Sequence, residues 1–426
     1  MQKRRAAADT ARKKRNKILK KVVLYAVITI IFTLSLNAAT ISVLLADNLE
    51  SVTLNSVTGM KLHEGQAYMP LIPKETDLII KPVLGTISYY FDDVTVNNVS
   101  SNIVFAPMTE GVKAGSSPLI KVDITPAKKY NNYRGEMEIH INASGKLMLV
   151  NRIDLDEYLY SVLAAEMGSS QPAEALKSQA VAARSYAAVR LGRYVKQKFD
   201  VYDTVQSQVY YGYDYEKPTT VQAVKDTLGE VMYDSKGKLV DAMFFSTCGG
   251  FTETASNGAT YLVSVNDCGQ MRPKTEEEWH AFYSNKYDGN CHHPGTSFAS
   301  NFRWIKTFTF DEINKIFSEI KTTGNITEIA VLKREPGGRV SSLKVVGETG
   351  TVILSGESKV RSAFGGLKSA GISVKKNEND FTFYGGGYGH GQGMCQVGVI
   401  GQAKKGRLYK DILKFYYQGT EISQIK

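Results

Sequence analysis

From Leu119 onward the chain reads in two alternating rhythms. Period-two alternation of apolar and polar residues over 119–124 and 135–141 predicts strands, and Asn142-Ala143-Ser144-Gly145 predicts a turn into a third strand over 146–150. The period then lengthens. Leu155, Tyr158, Leu159, Val162 and Leu163 recur at helical spacing, behind a capping-box-like start in which Glu157 follows Asp154 by three residues. A second, alanine-rich helix begins near Pro172, a residue suited to a first helical turn, and runs to Gly192. Further strands are predicted over 205–213, 229–233, 239–246, 326–333, 339–347, 350–354 and 381–384, with helices over 310–320 and Tyr409–Tyr417, the last stopped by Gly419. Residues 47–117 break into short apolar runs between Gly, Pro and Asn and predict a small β-rich region or spacer. Residues 269–300 are polar and irregular and predict a loop insertion in a domain over 118–426. Strands and helices are interspersed without regular βαβ spacing, so the predicted class is α+β.

One residue breaks the apolar stripe of the first helix. Position 166 continues the stripe and is a glutamate, so the pattern aims Glu166 at the core or at a cleft beside it; the alternative is emergence into water at the helix end. Desolvation and the negative end of the helix dipole both raise the pKa of such a carboxyl, as a general acid working near neutral pH requires. Asp154, Asp156 and Glu157 sit at the favourable helix N-terminus and read as structural. On the second helix Lys177 and Arg184 are two turns apart, roughly 10 Å along the axis, with small Ala180 and Val181 between them. They share a face and are candidate cations for the same cleft.

Near the C-terminus, six glycines fall within the nine residues 385–393, around Tyr388 and His390 and ahead of Cys395 and Gln396. Such a loop brings its backbone close to a ligand and adopts conformations closed to other residues. It contains no G-x-G-x-x-G or Walker pattern, which argues against nucleotide chemistry.

Charge is concentrated at the other end. Residues 1–21 hold ten basic side chains and one acid, accounting for +9 of the net charge of +10. The remainder is nearly neutral, so nucleic acid is not an expected partner. Residues 22–46 carry no charge and are long enough to cross a bilayer. With a basic tail in front, they predict an uncleaved single-pass anchor in the cell membrane, with the N-terminus cytoplasmic and everything from about Asp47 outside. In that oxidising compartment a Cys268–Cys291 disulfide closing the insertion is the leading expectation. A Cys248 pairing, or a metal held by Cys291, His292 and His293, are its alternatives.

Several of these segments together resemble the stage II sporulation protein D / amidase-enhancer family. They are Val150 to Leu159, Ala165-Glu166-Met167, Ala175 to Tyr186, Ser246 to Glu253, Gly387 to Gln396 and Tyr416 to Thr420, in that order over about 118–426. The resemblance implies a membrane-anchored bacterial protein acting on peptidoglycan. Sporulation members look like lytic transglycosylases that cut peptide-stripped glycan strands beside a peptide-removing amidase during engulfment. Carried onto this chain, it makes Glu166 the acid, with Lys177 and Arg184 as site cations, and places the family's Gly-His-Gly loop at Gly389-His390-Gly391. The glycine loop, through Tyr388, His390 and Gln396, becomes a sugar-binding wall. Two departures stand out: the family's usual Ser and Tyr in the glycine loop are here Cys395 and Val397. Some relatives also hold zinc in the segment matching Tyr202–Ser207, which here lacks both Cys and His. No metal and no cofactor are therefore expected.

The implied chemistry suits a single carboxyl. Hydrolysis of a glycosidic bond ordinarily needs two, whereas a transglycosylase lets the muramic C6 hydroxyl replace water. Two rivals remain: a non-enzymatic glycan-binding activator of a cell-wall amidase, with membrane proteins as further partners, and a thiol peptidase using Cys395 and His390, which lacks an acidic orienter.

Overall fold

Twelve short strands at the start of the described chain make two six-stranded sheets. They are β1 (Thr40–Leu49), β2 (Val52–Asn55), β3 (Met60–Leu62), β4 (Leu78–Val83), β5 (Thr86–Phe91), β6 (Val94–Val96), β7 (Asn102–Pro107), β8 (Ile120–Asp123), β9 (Asn132–Tyr133), β10 (Glu136–Ile141), β11 (Leu147–Asp154) and β12 (Val201–Tyr202). One sheet runs β12-β1-β11-β10-β7-β3 and the other β6-β5-β4-β2-β8-β9. This computed structural model describes residues 39–62, 71–110, 112, 117–129, 131–255, 257–293, 299–318 and 323–425. The predicted basic tail and residues 22–38 of the predicted anchor lie outside the described residues. From Ile41 the chain forms one compact unit of mixed α+β class.

Two boundaries differ from the sequence reading. Residues 40–46 of the predicted anchor belong to β1, where Ile41, Val43 and Leu45 are buried and alternate with half-buried neighbours. The end of the uncharged run thus has strand periodicity as well as hydrophobicity. Among the described residues no helix is long and apolar enough to cross a membrane. The region 47–117 is β-rich, as its pattern suggests, but it is no spacer. Its β7 pairs with β10, and its β2 pairs with β8, so its strands complete sheets begun by the next segment.

The predicted hairpin is β10–β11, in register from Glu136–Arg152 to Ile141–Leu147. The Asn142 carboxamide oxygen accepts the amides of Ser144 and Lys146 and closes the turn. β11 runs straight into the helix Leu155–Met167, whose N-cap Asp154 accepts the amides of Asp156 and Glu157. The second helix, Ala173–Ala188, packs on the first. It ends four residues before Gly192.

Arg184 occupies the middle of this helical layer and is fully buried. Its Nε donates to Asp156 Oδ1 at 2.7 Å, and its terminal nitrogens donate to the carbonyls of Glu230 (2.9 Å) and Val224 (3.3 Å). Lys177 pairs with Glu174 at 3.0 Å and Asp226 at 3.5 Å. Neither side chain lines the cavity that holds Glu166. The small residues between them admit neighbouring protein, not ligand, and the pair works as a clamp between elements.

The C-terminal half has a second core. Strands Trp304–Thr309, Asp380–Gly385 and Ile372–Lys376 form one sheet, and 326–334, 340–347 and 351–355 form another. Ile313 and Phe317 from the helix Phe310–Ser318 join their apolar faces. The predicted insertion 269–300 contains a helix, Glu276–Ser284, opened by a Thr275/Glu278 capping box. Trp279, Phe282 and Tyr283 lie at i, i+3 and i+4 and bury together against Phe251, so an aromatic stripe hidden among polar residues anchors the segment. The predicted strand 205–213 is instead an irregular strap. Its amides are taken by side chains of the first helix: Val209 N donates to Glu166 and Tyr211 N to Ser161 Oγ. Of the predicted strand 239–246, only Phe244–Phe245 forms.

Truncating Arg184 would leave the half-buried Asp156 carboxylate and two carbonyls without their partner. Arg184→Ala is expected to cost about 3–5 kcal/mol of stability. Chemical denaturation measures it, and a variant with the wild-type unfolding midpoint would show that the buried pair contributes nothing.

Candidate functional site

The glycine-rich loop and the Ser246-Thr247-Cys248-Gly249-Gly250 segment lie backbone against backbone. Phe244–Phe245 pairs in parallel with Met394–Cys395, and Thr247 exchanges both of its backbone hydrogen bonds with Tyr388, at 3.1 and 2.8 Å. The loop needs its glycines for this approach. Gly393 has φ +78°, and a Cβ there would stand 2.0 Å from the Met243 carbonyl oxygen. At Gly391, φ +85°, a Cβ would strike the Arg339 guanidinium.

This layer forms one wall of a cavity of about 460 Å³. Tyr388, Gly389, His390 and Gln396 line it from the loop, and Phe244, Phe245 and Ser246 from the facing segment. Glu166, Tyr186, Arg190, Val205 and Ser207 close the other side. Tyr388 is 46% exposed at the cavity wall. A neighbouring cavity of about 520 Å³ is lined by Tyr133, Tyr210, Tyr211 and Tyr215 with Lys128 and Asp203, and shares Val205 with the first.

Glu166 sits in the last turn of its helix, just before Gly168 ends it with φ +74°. Burial pushes its pKa above the usual carboxylate range. The Val209 amide, 3.2 Å from Oε1, and the approaching Gln396 side chain offset part of that rise. Gln396 is itself buried beside the acid, so its side chain orients Glu166 rather than reaching solvent. Glu166 is the one carboxyl among the described residues lining this cavity.

The cavity's cation is Arg190, which the sequence reading passed over. It is nearly buried, pairs with Asp241 at 2.8 Å and lies over the Tyr186 ring with 3.2 Å to the centroid. The Tyr186/Arg190 spacing of four residues was the available signal. Lys177 and Arg184, expected here, are absent from the lining because their own acids hold them in the helical layer.

His390 is in the cavity wall, but both ring nitrogens are engaged. Nε2 donates to the Phe244 carbonyl at 3.1 Å, and Nδ1 accepts the Gln392 amide at 3.1 Å. Burial, and then the nearby positive charge of Arg339, lower its pKa to about 4. It is a neutral fastener between the two backbone segments. That arrangement removes His390 as a base for a Cys395 nucleophile, whose sulfur is itself fully buried.

The expected Cys268–Cys291 disulfide is not formed: none of the four cysteines is in a disulfide. Cys268 belongs to the aromatic cluster around Trp279, whereas Cys291 lies 3.3 Å from Cys248, with Cys395 and Asp267 beside them. His292 stacks on Phe302 and is no part of this group. The insertion is held by packing and by Cys291, so no link to Cys268 is needed to close it.

The geometry defines a protein with a single buried acid facing an aromatic-walled cavity. A family model described as Stage II sporulation protein matches residues 143–233, and a domain of unknown function matches 255–393. Stage II sporulation protein D of Bacillus subtilis (strain 168) is 31% identical over 65% of this chain and 76% of its own length. An amidase enhancer of the same strain is 30% identical over 62% of this chain and 40% of its own. An uncharacterized protein of Brachyspira hyodysenteriae is 30% identical over 65% and 68%. The chain belongs to the stage II sporulation protein D family.

The fastening histidine has a pH signature. A folded pKa of about 4 against about 6.5 unfolded means that the unfolded chain binds the extra proton between those values. The histidine's contribution is therefore present above about pH 6.5 and lost as pH falls toward 4, by at most about 3 kcal/mol. Denaturation midpoints at pH 7 and pH 4.5 should fall further for the wild type than for His390→Gln. Equal losses would show that His390 is not held neutral.

Proposed function

We propose that this protein is a peptidoglycan lytic transglycosylase acting on glycan strands already stripped of stem peptides. The observation that carries the reading is Glu166: one desolvated carboxyl, its pKa raised, facing an aromatic-walled cavity that offers no second carboxyl among its described lining residues. Protonated Glu166 donates to the oxygen linking N-acetylmuramic acid to N-acetylglucosamine, and that bond breaks. The resulting carboxylate takes the proton of the muramic C6 hydroxyl as its oxygen closes on C1. The product is a 1,6-anhydro end, the acid is regenerated and no water is consumed.

Other groups support this chemistry. Tyr388 offers an exposed face for a sugar ring, and the buried Gln396 side chain holds Glu166 in place. Arg190 sets a positive charge in the wall, within reach of an anionic lactyl group. The tyrosines of the adjoining cavity extend the aromatic surface along which a strand can lie. Lys177 and Arg184 have no part in it. The basic tail and the uncharged run ahead of β1 support a membrane anchor that places this site on the wall side.

The similarity to an amidase enhancer supports a second reading, a glycan-binding activator of a wall amidase. Glu166→Gln separates the two. It keeps the shape and hydrogen bonding of the side chain but supplies no proton. The enzyme reading expects anhydro-muropeptide yield from peptide-free strands to fall about a hundredfold or more, at unchanged stability. A folded Gln variant with wild-type yield would sink it. Preserved stimulation of an amidase by a protein that yields no anhydro product would establish the activator.

A further inference from the structure

We propose that Cys248, Asp267, Cys291 and Cys395 bind one structural Zn²⁺ ion that clamps the catalytic wall from behind. This goes beyond the glycan-cleavage reading and does not depend on it. The four residues come from four separate segments: the Ser-Thr-Cys-Gly-Gly stretch, the loop after Val265, the insertion and the end of the glycine loop. One ligand atom from each lies within 4.8 Å of all the others, and all four residues are buried. A tetrahedral centre with Zn–S near 2.3 Å separates its sulfurs by about 3.8 Å. Cys248 and Cys291 are 3.3 Å apart, and Cys248 Sγ lies 3.2 Å from Asp267 Oδ2. The sulfur pair falls about 0.5 Å inside that separation, and it exceeds the roughly 2.05 Å of a disulfide.

The surroundings are built for anionic ligands. The two oxygens of Asp267 face different ways. Oδ1 accepts from Tyr416 Oη (2.9 Å), Asn290 Nδ2 (3.0 Å) and Gln402 Nε2 (3.5 Å), whereas Oδ2 is turned to the sulfurs. Such outer partners orient a coordinating carboxylate. Backbone amides point at the sulfurs: Gly250 to Cys248 (3.3 Å), and both Cys248 (3.1 Å) and Gly398 (3.2 Å) to Cys395. The Gly249 amide does the same for Cys291. A neutral thiol is a weak acceptor, so amides gathered on three sulfurs fit thiolates. Three thiolates and a carboxylate buried together require a cation, and soft sulfur ligands in a closed four-ligand site select Zn²⁺. Room has been left for the carboxylate: a Cβ at Gly398 would fall 2.3 Å from Asp267 Oδ2.

The ion would sit directly behind the active wall. Cys395 caps the helix Gln396–Lys404, and the next residue, Gln396, faces Glu166. Cys248 adjoins Thr247, which is bridged to Tyr388. Cys291 ties in the insertion and Asp267 the loop after Val265, so one ion holds four segments in register.

Elemental analysis of the full-length protein, purified without chelator, should find about one zinc per chain. Cobalt exchanged into the site should give thiolate-to-metal charge-transfer absorption, weaker by about one third per thiolate lost and so reduced in Cys395→Ser. Tyr416→Phe removes an outer partner without removing a ligand, and it should weaken zinc affinity about 10–100-fold in a folded chain. Glu166→Gln should leave zinc content unchanged. Three results each overturn the proposal: a folded wild-type chain without stoichiometric metal or a cobalt–thiolate band, a Cys248–Cys291 disulfide in unreduced peptide maps, or wild-type zinc affinity in Tyr416→Phe.

Discussion

The contact on which the rest of the site depends is backbone against backbone, where the glycine-rich loop lies on the Phe244–Gly250 segment. Only residues without a Cβ reach that separation: a Cβ at Gly387 would stand 2.7 Å from the Thr247 carbonyl oxygen, and one at Gly249 2.6 Å from the Gly387 amide nitrogen. Once the layer is formed, three consequences follow from chain connectivity. Tyr388 is presented to the cavity, Gln396 is brought to Glu166, and Cys395 is set beside Cys248. The neutral His390 spans the same layer, donating to one segment and accepting from its own loop. The wall's composition is chemical, but its position is steric.

Charge burial divides the cations of the second helical segment into different roles. Arg184 and Arg190 are separated by six residues and both are hidden from solvent. Arg184 is spent on Asp156 and two carbonyls, which fixes the two helices and the Glu230 strand together. Arg190, two residues beyond the helix, is held by Asp241 and Tyr186 where the cavity begins. The first gives the helix pair a defined relation, and with it the position of Glu166 at the end of its partner. The second places charge where a ligand can feel it. A buried guanidinium is costly without partners, so each is found where acids and carbonyls already stand.

Much of this architecture was legible as pattern. The β10–β11 hairpin, its Asn142 turn, the Asp154 cap and the helical stripe that aims Glu166 inward are all local features, and local periodicity reports them directly. The same reading failed where a segment takes its partners from elsewhere. The strap after Val205 has strand-like composition, but its amides go to Ser161 and Glu166, so no strand forms. The insertion looked irregular because polar residues outnumber its aromatic stripe, yet Trp279, Phe282 and Tyr283 are enough to bury it.

The sequence by itself determined the α+β alternation, the need for a close-packed glycine loop and the singular position of Glu166, because each is written in spacing over a dozen residues or fewer. Only the tertiary structure decided which cations face the cavity and which cysteines meet. Lys177 and Arg184 share a helix face with nothing local to show that Glu174, Asp226 and Asp156 claim them. Cys291 is far nearer in sequence to Cys268 than to Cys248 or Cys395, yet it lies with the latter two. The identity of a buried group's partner is set by the packing of distant segments, and no periodicity carries that information.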